Sequence, residues 1–186
     1  MDHLHNRTGI GARHEASHAV VGRLLGLRFH EATIDRSRVC GLIKMIYLNT
    51  YFRPASAFAL FWDLFPGVTD IEFPALVPGV MSDPDRRQHL DDWLTTVLAG
   101  YEFERQMGLH GGDLDFAKAS RVAAECFAGD SDLGRAYVEN LSGAVRAILS
   151  DSLVAIAIDH VAEALHEQRT LTMEEVDRIL ASASAL

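Results

Sequence analysis

Apolar and polar positions along the 186-residue chain show helical periodicity near the start and through the second half, with a different texture between. From about residue 9 to Leu25, in "GIGARHEASHAVVGRLL", small and apolar side chains recur at three- and four-residue intervals, which predicts a helix. Thr8 is placed to cap it and Gly26 to end it. Residues 29–50, "FHEATIDRSRVCGLIKMIYLNT", are rich in Ile, Val and Tyr and partly alternate about a turn at Asp35–Arg38. That texture predicts two or three strands. From Asp85 the helical period returns, predicting helices near 85–107, 113–128, 131–149, 151–168 and 172–182. Gly108, Gly111 and Gly112 separate the first two of these, and Thr172 with Glu175 forms a capping box for the last.

The class this predicts is α+β: a small N-terminal sheet beside the first helix, then a mainly helical C-terminal half. The length suits one domain over residues 1–186. All five prolines fall between Pro54 and Pro84, among Phe58, Phe61, Trp62, Phe65 and Phe73. Residues 51–84 are too apolar for a disordered linker and predict an irregular insertion with a short helix near 55–64. Its aromatics either cover core or an oligomer contact, or form a wall over a cleft.

Composition narrows the classes of function. A net charge of −9 argues against a phosphate-binding surface, because nucleic-acid binders cluster Lys and Arg. Cys40 and Cys126 form no CxxC pair, which fits a reducing compartment and offers neither a disulfide framework nor a thiolate site. The opening "MDHLHNRTGI" lacks the basic start and apolar run of a signal peptide. The most apolar block, "ASAFALFWDLF", is too short to span a bilayer and carries Asp63. The expectation is a cytoplasmic protein with no membrane span and no nucleic-acid partner.

Chemistry enters at "HEASH", where His14, Glu15 and His18 have HExxH spacing inside the first predicted helix. Residues four apart lie on one helix face, so both imidazoles can point at a single Zn²⁺. Glu15 lies one position round from His14, suited to take a proton from water rather than to ligate. Chance would supply roughly 0.025 such matches in a chain of this composition, so coincidence is a poor explanation. The third ligand is open from local sequence. The extended pattern HExxHxxGxxH fails, because Val21 and Leu24 hold its Gly and His positions. Glu102 and Glu104 are candidates, His30, His89 and His110 are others, and Asp113 after two glycines reads from local sequence first as a helix N-cap and only second as a ligand.

In order, these motifs resemble the peptidase domain of the FtsH family of ATP-dependent zinc metalloproteases. "HEASH" (14–18) is similar to that family's HEAGH, and "FHEATIDRSRVCGLIKM" (29–45) to the strand pair that follows its metal helix. "VLAGYEFER" (97–105) resembles its GGRAAE helix, and "GGDLDFAKASRVA" (111–123) the stretch carrying its acidic ligand. "VAEALHEQRTLTMEEVDRIL" (161–180) is similar to its closing pair of helices, and the likeness spans roughly residues 9–182. The resemblance implies His14, His18 and Asp113 as zinc ligands and Glu15 as catalytic base. Two departures limit it: no P-loop, ATPase domain or transmembrane segment is present, and the 51–84 block is longer than the family's connection.

The function this implies is a zinc-dependent metalloendopeptidase acting on short or unfolded polypeptides, without intrinsic ATP-driven unfolding. A polypeptide substrate follows, with a separate ATPase or delivery partner and a homo-oligomer as further candidates. The competing reading is a regulatory or interaction module that keeps the fold and the metal but little or no turnover.

Overall fold

The computed structural model describes residues 2–29, 31–34, 77–109 and 113–183. The predicted strands beyond residue 34, the short helix near 55–64, most of the 51–84 insertion, Cys40, His30 and His110 lie outside the described residues. Six helices and a two-stranded sheet are described: α1 (Asp2–Leu24), β1 (Glu31–Thr33), α2 (Pro84–Gln106), α3 (Asp113–Cys126), α4 (Ser131–Leu149), α5 (Ser152–Gln168), β2 (Thr170–Thr172) and α6 (Met173–Ala183). A 3₁₀ turn over Val77–Ser82 leads into α2. The helical bulk with a small sheet agrees with the α+β expectation. The helices of the second half begin and end within about two residues of where periodicity puts them.

Local chemistry sets those ends. The carboxylates of Asp83, Asp130 and Asp151 each accept from two backbone N–H groups at the starts of α2, α4 and α5. Pro84 follows at the first turn of α2, where its missing N–H costs nothing. The Thr172–Glu175 capping box forms in both directions: Thr172 N–H donates to Glu175 Oε2 at 2.7 Å, and Glu175 N–H to Thr172 Oγ1 at 3.3 Å. α1 differs from expectation at its start. It begins at Asp2, so Thr8 stands within the helix rather than capping it. Its end is as predicted, with Gly26 at φ +77 and Leu27 N–H closing onto the Gly22 carbonyl at 2.8 Å.

The sheet is not wholly N-terminal. β1 pairs antiparallel with β2, near the other end of the chain, in the register Glu31↔Thr172, Ala32↔Leu171, Thr33↔Thr170. β2 is three residues of Thr-Leu-Thr pressed between two helices, too short for an alternation to announce it.

α1 lies at the centre, packed on α2 along one side and α5 along another, with α3 and α4 stacked on α2. Ala12, Ala16, Ala19, Val20 and Val21 are all buried, as are Glu15, Ser17 and His18, so α1 has almost no solvent face between residues 14 and 22. The buried Ser17 hydroxyl is satisfied by donating to the Arg13 carbonyl at 2.7 Å. Ion pairs tie α1 outward, Arg13 to Asp159 of α5 at 2.8 Å and Arg23 to Asp177 of α6 at 2.7 Å. α3 and α4 cross closely at Gly134, where a Cβ would stand 2.4 Å from the Ala124 backbone nitrogen. Among the described residues no single helix is long and apolar enough to cross a membrane.

Candidate metal centre

α2 runs antiparallel against α1, so that residue 104 of α2 meets residue 14 of α1 and residue 96 meets residue 18. α3 completes a three-sided enclosure by presenting its first turn. At this junction His14, His18 and Asp115 converge, a group that could hold a metal ion. Nε2 of His14 lies 3.0 Å from Nε2 of His18, and Asp115 Oδ2 lies 3.2 Å from the first and 3.6 Å from the second. A tetrahedral ion with bonds of about 2.0–2.1 Å needs ligand–ligand edges of about 3.3 Å. The three separations bracket that value.

The other ring nitrogens are held by the protein. His18 Nδ1–H donates to the buried Thr96 carbonyl at 2.8 Å, which fixes the tautomer that leaves Nε2 with a lone pair. His14 Nδ1 lies 2.8 Å from Glu104 Oε1, a carboxylate–histidine contact of the kind that orients metal ligands, although the N–H is not aimed squarely at the oxygen. Glu15 is buried beside His14, at 8% exposure. The enclosure is short of positive charge. Burial works against a charged His14, yet Asp115 and Glu104 beside it, with Glu15 further off, outweigh burial and carry its pKa to about 10. Burial likewise works against a charged Asp115, but the two imidazoles hold its carboxyl far below the usual range. Three carboxylates around two imidazoles make a place for a cation, whether proton or metal.

A pH dependence follows for the metal-free chain. A group whose pKa is raised by folding stabilises the fold fully below its unfolded value, here 6.5, and that contribution is lost as pH rises through about 10. The heat-denaturation midpoint of chelator-treated protein is expected to fall between pH 7 and pH 10. His14→Gln is expected to flatten that fall, as followed by circular dichroism.

One expected residue is misplaced. Asp113, the acid implied as third ligand, is exposed in the first turn of α3 and does not join the cluster; Asp115 does. The physical reason is helix phase. Residues two apart point about 200° from each other on a helix. Asp115 shares its stripe with the buried Ala119, Val122 and Cys126, and Asp113 faces away from it. Glu104 contacts a ligand instead of being one, and Glu102, fully buried, accepts from Arg146 and Arg105 on the far side of α2. His89 is half-buried near the start of α2, with Nδ1 against the Asp85 carbonyl at 2.6 Å and away from the cluster. Cys126 is buried, and burial pushes its thiol up to about 11, which suits a packing residue rather than a nucleophile.

A residue outside the expected set is Gly100 on α2. A Cβ there would stand 2.5 Å from His18 Nε2 and 2.7 Å from His14 Nε2, against both ring nitrogens that converge in the cluster. No spacing signal in the sequence marks it, because its partners lie about eighty residues away in α1. No protein-family model matches the chain, and no curated protein does.

Proposed function

We propose that this chain is a zinc-dependent peptidase that hydrolyses short or unfolded polypeptides without powered unfolding of its own. The carrying observation is the convergence of two imidazole Nε2 atoms and one carboxylate oxygen at 3.0–3.6 Å, with a buried glutamate next to the first histidine. Two histidines and one acid leave a fourth position open, the arrangement of catalytic rather than structural zinc sites. When bound there, zinc supplies Lewis acidity. His14, His18 and Asp115 would hold it, with Thr96 and Glu104 keeping the rings turned inward. Glu15 takes a proton from the attacking water at its carboxylate and returns it to the leaving amine. The ordered motifs similar to the FtsH peptidase domain, with Asp115 in place of Asp113 as the acid, support the same reading.

The test is a metal assay coupled to hydrolysis of an unfolded, fluorophore-quenched polypeptide, with and without chelator. The wild-type chain is expected to carry about one zinc and to lose turnover on chelation. Glu15→Gln is expected to keep the zinc and lose about 10²–10⁴-fold in rate, because glutamine keeps the shape and lacks the basic oxygen. Zinc uptake with no hydrolysis of any unfolded polypeptide would favour the regulatory module instead.

A further inference from the structure

α2, α3 and α4 enclose a cleft of about 630 Å³, within the size range of ligand sites. Two of its lining residues are chain neighbours of the metal centre: Tyr101 follows Gly100, and Phe116 follows Asp115. The rings of Tyr101 and Phe116 pack 5.0 Å apart and give the cleft one aromatic wall. The opposite wall is a single stripe of α4, Arg135, Glu139, Ser142 and Arg146, spaced four, three and four residues apart.

Charge and hydrogen-bonding capacity are unevenly met there. Arg105 and Arg146 both reach Glu102 Oε1, at 3.4 and 3.1 Å, so one fully buried carboxylate fixes two guanidinium groups side by side and can neutralise only one. Arg135 adds a third cation, with no ion pair among the described residues. Ser142 is 2% exposed, and its hydroxyl has no hydrogen-bond partner among the described residues. A buried hydroxyl left unmatched is costly and calls for a partner. Asp113 and Glu139 also line the cleft, which disfavours a polyanion. A ligand with one carboxylate among neutral amides suits this mixture, and a peptide is such a ligand.

We propose that the cleft receives a carboxylate of the bound peptide. Arg135, Arg105 and Arg146 are its cationic partners, Ser142 donates a hydrogen bond, and Tyr101 and Phe116 pack against adjoining apolar chain. The peptide nature of the ligand rests on the peptidase reading, and the carboxylate preference rests on the cleft. Arginine is suited to this role because its planar fork matches a carboxylate with two parallel bonds.

The test measures binding, so that it stays separate from hydrolysis. The full-length Glu15→Gln chain is titrated with four coumarin-labelled pentapeptides of otherwise neutral sequence. One has a free C-terminus, its counterpart a C-terminal amide, and the other two are amides with an internal Glu or Gln. Fluorescence anisotropy is followed for zinc-loaded and chelated protein. A carboxylate-bearing peptide is expected to bind about tenfold tighter than its neutral counterpart, the strength of one charged hydrogen-bonded contact. The free-acid and Glu arms show which carboxylate is taken. Arg135→Gln is expected to bring the preference within about twofold while leaving zinc content unchanged. Equal affinity for all four peptides, or no binding by any, overturns the inference. So does a preference that Arg135→Gln leaves intact, or one that vanishes on chelation, which would place the carboxylate on the metal. Absence of hydrolysis by the wild-type chain bears on the peptidase reading alone.

Discussion

Asp115→Asn is expected to empty the metal centre, whereas Asp113→Asn leaves it filled. Asp115 Oδ2 lies within 3.6 Å of both Nε2 atoms, and no other carboxylate joins them in a metal-holding group among the described residues. Asparagine keeps the volume but offers a neutral oxygen, a weak ligand for a divalent ion. The fall in zinc affinity should exceed the roughly 10–100-fold typical of losing a group that only hydrogen-bonds to a ligand. Asp113 is exposed at the same helix start, so Asp113→Asn controls for any loss of favourable charge near the helix N-terminus. Zinc per chain after dialysis against a weak chelator, with helicity followed alongside, measures both. Retention of zinc by Asp115→Asn, or its loss from Asp113→Asn, would return the ligand role to the residue the sequence first suggests.

The reason that ligand is hard to read from sequence lies in how local signals compete. "GGDLD" puts two acids in one helical turn, and the glycines draw attention to the first. Only the phase of the following residues separates them: Ala119, Val122 and Cys126 define the buried stripe, and extending it backward reaches Asp115 and not Asp113. That signal was present in the chain. Helix positions in the second half were legible for the same reason, because period, capping carboxylates and glycines agree there. The roles of Thr96, Glu104 and Gly100 were not legible. Each depends on the antiparallel crossing of α1 and α2, a contact between segments about eighty residues apart. β2 was hidden because its three residues overlap the capping box of α6, and its partner strand lies at the other end of the chain.

The crossing of α1 and α2 leads to the second large effect. Gly100→Ala is expected to abolish metal binding while the chain stays folded. The added methyl would stand 2.5 and 2.7 Å from the two Nε2 atoms, where an ion with bonds of about 2.0–2.1 Å must also fit. To relieve the contact, either the imidazoles turn away from Asp115 or α2 moves off α1. Turning the rings would break the His18 Nδ1–H bond to the Thr96 carbonyl and the His14 contact with Glu104. Moving the helix would loosen a core that includes Val20, Val21, Leu94 and Leu98. Overpacking of one methyl group typically costs about 1–3 kcal/mol, less than the stability of most domains, so a folded but metal-free protein is the expected compromise. Gly22→Ala supplies the comparison at the same interface. Its Cβ would meet only the Thr96 side chain, the methyl at 3.1 Å and Oγ1 at 3.6 Å, with no ligand atom within 4 Å. Gly100→Ala should lower the denaturation midpoint and lose zinc, whereas Gly22→Ala should keep its zinc. If Gly100→Ala binds zinc as tightly as the wild-type chain, the ion does not sit between the two imidazoles and α2, and the ligand geometry argued from Asp115 falls with it.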